Sequence, residues 1–174
     1  FKKVAALGTE EEKVRRLLEI ARWENPGPGS FYDNVGNLAK SPHVIRSDIE
    51  SREPGAVREA QPMFWWWQEG KSRARLTWQV TMWPLRMVYE GLDPSAAYVV
   101  RTSGYGQGLL RINGERVEPT LDGKGMGEFK EFPVAAKFLQ DRRLVLTWDR
   151  PTNEGHLNWR QRSRLSEVWL LKQR

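Results

Sequence analysis

From Arg75 to Trp83 the chain alternates. Leu76, Trp78, Val80 and Met82 point one way, and Thr77, Gln79, Thr81 and Trp83 the other. A period of two predicts a β-strand with one buried and one wetter face. Pro84, which has no N–H to give, ends the ladder. The pattern makes this a central strand of the domain. Just ahead of it, Phe64-Trp65-Trp66-Trp67 sets three indoles in a row. In a strand they cannot all enter one core layer. At least one of Trp65, Trp66 and Trp67 therefore belongs at a surface, an edge or a second layer, as an aromatic platform.

The alternation recurs to the end of the chain. Leu85, Met87 and Tyr89 alternate with Arg86 and Val88, and Gly91-Leu92-Asp93-Pro94 is a turn. Tyr98 to Thr102 is the next strand, followed by a loop of Gly104, Gly106 and Gly108 around Tyr105. Leu109 to Ile112 and Glu115 to Val117 flank Asn113-Gly114, the strongest short hairpin signal. A glycine loop at 123–127 precedes a strand from Phe129 to Val134. Arg143 to Trp148 sets Leu144, Leu146 and Trp148 against Val145 and Thr147, and Ser163 to Leu171 is the last strand. Short strands at regular spacing, with glycine-rich turns and no helix-period run between them, predict an all-β antiparallel sandwich. Its expected core is Leu76, Trp78, Val80, Met82, Val100, Ile112, Leu144, Leu146, Trp148, Val168 and Leu170.

The period changes at the N-terminus. Thr9-Glu10-Glu11-Glu12 reads as a capping box, with three glutamates at the positive end of a helix. Val14, Leu17, Leu18 and Ala21 mark one apolar face, and the helix ends near Trp23, before Asn25-Pro26-Gly27-Pro28-Gly29. The expected division is residues 1–24 as a helix packed on the domain or linking it to a preceding one, and 25–174 as the sandwich. Phe31 to Asn37 reads as a structured loop, and Ile45 to Ala60 as charged surface.

Composition narrows the chemistry. No apolar run approaches the ~20 residues of a membrane-spanning helix. The net charge of +6 invites a nucleic-acid reading, but most basic residues are interleaved with acids, as from Glu10 to Arg16. A solvated surface is the better reading. Without cysteine there are no disulfides or Cys-ligated metal sites, and the compartment stays undecided. A chain that starts at Phe1 reads as an excised module or a trimmed product.

Catalytic signatures are missing. There are two histidines, His43 and His156, and no nucleophile elbow, P-loop or HExxH. The run Gly104-Tyr105-Gly106-Gln107-Gly108 lacks the spacing and the βαβ setting of a dinucleotide fingerprint. Asp33 and Asn34 offer hard oxygen ligands without the regular spacing of a calcium loop. Binding is easier to support. A sugar has an apolar C–H face and a polar rim, which suit an aromatic ring beside hydrogen-bonding side chains. Trp65, Trp66 and Trp67, next to Gln68, form one such mixture. The segment 153–162, with His156, Asn158, Trp159, Arg160 and Arg162, forms another, and Tyr105 is a third candidate. For the three consecutive indoles, core packing is an equal alternative. The same mixture would suit stacked single-stranded bases, although Arg160, Arg162 and Arg164 also alternate as on an exposed strand edge.

The stretches Tyr89 to Arg101, Leu110 to Gly114 and Arg164 to Leu170 together resemble a galactose-binding-like β-jelly-roll, an accessory module of bacterial glycoside hydrolases. The loop Asn25 to Asn37 is similar to segments preceding C-terminal modules of large carbohydrate-active proteins. The resemblance covers roughly residues 25–174. It implies a non-catalytic carbohydrate-binding module whose loops meet a polysaccharide or oligosaccharide. It also implies neighbouring modules of a parent enzyme as partners, an extracellular or periplasmic location and, in many such modules, a structural calcium. Because one architecture serves many functions, a structural or protein-interaction domain stands as the alternative.

Overall fold

A computed structural model describes residues 2–35, 38–45, 63–64, 75–76, 86–104, 109–124, 128–149 and 165–173. Two antiparallel sheets face each other, preceded by α1 (Lys2–Ala5) and α2 (Glu10–Ala21). The strands in chain order are β1 (Phe31–Asn34), β2 (Met63–Phe64), β3 (Arg75–Leu76), β4 (Arg86–Glu90), β5 (Tyr98–Gly104) and β6 (Leu110–Ile112). They continue with β7 (Glu115–Arg116), β8 (Leu121–Asp122), β9 (Lys130–Val134), β10 (Arg143–Trp148) and β11 (Leu165–Lys172). One sheet has the order β1-β11-β5-β9-β8, and the other β4-β10-β6-β7.

Alternation decides what enters the core. Tyr98, Val100, Phe132, Val134, Val168 and Leu170 come from the first sheet. Met87, Tyr89, Leu110, Ile112, Leu144, Leu146 and Trp148 come from the second, and all belong to one buried cluster. Each such side chain contributes about 1.5–3 kcal/mol by leaving water. All seven expected core residues whose burial is described, from Val100 to Leu170, are fully buried. Between β6 and β7, Asn113 (φ 49°) and Gly114 (φ 87°) both take left-handed backbone, the two-residue turn the Asn-Gly pair predicts. The Asn113 side chain ties the hairpin down, accepting from Val145 N at 2.8 Å.

Two expectations change. Phe31 to Asn34 is a strand rather than a loop, because β11 supplies a ladder partner that only the tertiary fold reveals. Arg75–Leu76 pairs with Met63–Phe64 in a small sheet of its own, so among the described residues the centre of the large sheet is β5. Residues 77–83, with Trp78, Val80 and Met82, lie outside the described residues. The expected helix α2 forms at Glu10–Ala21. Its capping box forms, with Thr9 Oγ1 accepting from Glu12 N at 3.1 Å and Thr9 N donating to Glu12 Oε2 at 3.2 Å. Yet none of its side chains is buried, so the helix is not packed on the sandwich along its apolar face. The segment after the helix docks on the sandwich through Trp23.

Candidate functional site

Strand register builds a row of side chains across the outer face of the five-stranded sheet. Tyr32 on β1 sits beside Trp169 on β11, Trp169 beside Arg101 on β5, and Arg101 beside Glu131 on β9. Glu167 and Ser103 form a second row on the same face. These residues alternate with the core residues Val168, Leu170 and Val100, so each strand feeds both surfaces. A register shift between Leu165 and Glu167 lets Leu165 turn inward while Glu167 points outward.

The Glu167 carboxylate organises this face. Its Oε1 accepts from Trp23 Nε1 at 2.8 Å and from the Tyr32 hydroxyl at 2.8 Å, and its Oε2 accepts from the Ser103 hydroxyl at 3.0 Å. Such donors compensate the desolvation of a buried carboxylate. Trp169 Nε1 donates to the Trp23 carbonyl at 2.8 Å, so the segment behind α2 is held at two points. The rings pack with Trp23 edge-on to Trp169 at 5.1 Å, Phe129 edge-on to Trp169 at 5.7 Å, and Tyr32 tilted on Trp169 at 5.4 Å. Trp169 is buried, while Trp23, Tyr32 and Phe129 are half-buried and form the visible apolar surface. Arg101 lies over the Phe129 ring at 5.1 Å and pairs with Glu131, Nη2 to Oε1, at 2.6 Å. The result is a fixed set of aromatic rings bordered by a guanidinium and a carboxylate.

A second buried carboxylate lies between the sheets. Asp33 on β1 points into the sandwich toward β4. Its Oδ1 accepts from His43 N at 3.1 Å, and its Oδ2 from the Tyr89 hydroxyl and His43 Nδ1, each at 2.8 Å. A carboxylate only accepts, so Nδ1 carries the proton. The imidazole stacks on Tyr89 at 4.4 Å, and Phe31 meets it edge-on at 5.1 Å. Burial, together with the neighbouring Asp33 charge and its hydrogen bond, pushes the Tyr89 phenol well above its ordinary range. This group closes the gap between edge strands β1 and β4. There, residues 43–45 add to β4 through Val88 N to His43 O and Ile45 N to Arg86 O. Asp33, read from the sequence as a possible metal ligand, spends both oxygens on protein donors.

The residues singled out from the sequence, namely Trp65, Trp66, Trp67, Tyr105, His156, Asn158, Trp159, Arg160 and Arg162, all lie outside the described residues. Sequence reading missed the outer-face group. The alternation of Glu167 and Trp169 against Val168 and Leu170 carried its signal, since a strand that places Glu and Trp together opposite its core face marks a surface with specific partners. Among the described residues, no three His, Asp or Glu side chains converge as a metal site would require. Compared with protein-family models, curated proteins and solved structures, the chain has no significant match.

Proposed function

We propose that this chain is a non-catalytic carbohydrate-binding module of the galactose-binding-like sandwich class, and that the outer face of its five-stranded sheet takes part in recognition. The observation that carries the reading is the ring set Trp23, Tyr32 and Phe129, fixed around Glu167 and Trp169 and bordered by Arg101 and Glu131. Stacking on a sugar is most effective when the rings are already ordered, because less side-chain freedom is lost on binding. Arg101 and Glu131 supply donors and acceptors for hydroxyls, with little net charge between them. The ligand is a polysaccharide or oligosaccharide, and other modules of a parent enzyme are the expected neighbours. The Trp65 to Trp67 platform, Tyr105 and Trp159, which lie outside the described residues, belong to the same proposal as further contacts.

Affinity electrophoresis through gels containing plant and microbial glucans, mannans, xylans and pectins tests it. Retardation by one polymer, relieved by Trp23→Ala, supports the sheet face, and relief by Trp159→Ala instead moves the site to the loop. Release of reducing sugar by the pure chain would overturn the non-catalytic reading. Absence of retardation in every gel would favour a protein-interaction domain, a reading that the exposed apolar face of α2 supports.

A further inference from the structure

The α2 helix carries an apolar face that no described part of the sandwich buries. Val14 is 52% exposed, Leu18 46% and Leu17 40%. Leaving such a stripe in water forgoes the burial that stabilises most protein helices. One flank of the stripe carries Glu11, Arg15, Glu19 and Arg22 in that order. Of these, Glu19 pairs with Arg16 at 2.6 Å, whereas Glu11, Arg15 and Arg22 make no described ion pair.

The order of charges selects a partner. In a two-fold dimer whose helices run antiparallel, each flank faces its own copy in reverse. The N-terminal glutamate of one helix then lies beside the C-terminal arginine of the other. At 100° per residue, Glu11 and Arg22 fall on the same side of the Val14–Leu18 stripe, three turns apart. A pairing that sets Val14 against the partner's Leu18 places Glu11 beside the partner's Arg22, and Arg15 beside the partner's Glu19. Both contacts occur twice by symmetry, as an isologous interface requires. A parallel two-fold pairing would instead set this flank against the partner's other flank, which carries Lys13 and Ile20, and Glu11 would not meet Arg22.

We infer that the exposed face of α2 is a self-association surface, on which a second copy of this chain docks antiparallel through Val14, Leu17 and Leu18, with Glu11 and Arg22 setting the register. A helix of 12 residues spans about 18 Å. The contact therefore falls in the class below about 1,200 Å² that forms weak, concentration-dependent complexes.

Sedimentation velocity over a concentration series from micromolar to millimolar tests this. The wild-type chain should shift from protomer toward twice the protomer mass, and Leu18→Glu should stay monomeric while its circular dichroism is unchanged. Glu11→Arg alone and Arg22→Glu alone should each dimerise less. An equimolar mixture of the two should associate more than either one, since crossing them restores both opposite-charge contacts. Wild-type chain that remains monomeric throughout overturns the inference. So does a dimer indifferent to Leu18→Glu, or a mixture that associates no better than its components.

Discussion

Two buried carboxylates in this molecule hold hydrogen-bond donors amid aromatic rings, and they are put to different ends. Asp33 is fully buried between the sheets, with Tyr89 and both the ring and the backbone of His43 as donors. Glu167 is nearly as buried, at 6% exposure, but two of its donors, Trp23 and Tyr32, are half-buried and meet solvent. The same chemistry joins two edge strands in one place and fixes a surface in the other. Access of the donors, rather than the identity of the acceptor, separates a structural network from a candidate recognition face. A ligand can meet only rings that reach solvent.

The largest effects should come from the interior network and the core around it. Asp33→Ala leaves the Tyr89 hydroxyl and the His43 Nδ1–H without their acceptor, and should cost about 3–5 kcal/mol in denaturant unfolding. Trp148→Ala should cost a similar amount, about 3–5 kcal/mol, through the cavity it opens. Trp148 Nε1 has no hydrogen-bond partner among the described residues. Trp148→Phe should therefore cost clearly less, since the phenyl ring fills part of the space and removes an unmet donor. If Asp33→Ala unfolds no more easily than an exposed substitution, the interior network is not what closes the sandwich.

Next comes pH. The Tyr89 phenol is held protonated by burial and by the Asp33 charge, so its folded value lies above the ordinary 10.0. Above pH 10 the unfolded chain releases this proton while the folded chain keeps it. Stability therefore falls as pH rises from 10 toward the raised folded value, and this group contributes no slope at neutral pH. Urea midpoints of wild type and Tyr89→Phe should converge as pH climbs past 10. Parallel curves would mean that the phenol is not held neutral by the fold.

The smallest effect on stability should come from the outer face. Trp23→Ala should lower unfolding stability by no more than about 1–2 kcal/mol, because the indole is half exposed. Binding to a retarding polysaccharide should weaken by about 1–3 kcal/mol, taking aromatic stacking on nucleobases as the guide. Titration calorimetry against that polymer separates the two effects.

The sequence was legible where local chemistry and tertiary fold agreed. Arg143 to Trp148 forms the expected strand, Asn113-Gly114 forms its turn, and Thr9 with Glu12 forms its capping box. In each case the signal lies within a few residues. It was silent where partners are distant in the chain. Asp33 is joined to Tyr89 across 56 positions, and Trp23 to Glu167 across 144. Phe31 to Asn34 is too short and too polar to read as a strand until β11 is beside it. The apolar stripe of α2 was read correctly as a stripe. Periodicity says that a face is apolar, however, and not what covers it. The outer-face group was half legible, because Glu167 and Trp169 share a parity, but nothing local shows that Trp23 returns to meet them.

The two carboxylates divide their labour between the interior and the outer face. The decisive measurement pairs denaturant unfolding with polysaccharide retardation for Asp33→Asn and Glu167→Gln. The expected result is a large loss of stability for Asp33→Asn, with retardation intact at temperatures where it stays folded, and lost retardation for Glu167→Gln in a chain that remains folded. If Glu167→Gln leaves retardation by a wild-type-binding polymer unchanged, or if Asp33→Asn abolishes it in folded protein, the outer face is not the recognition surface.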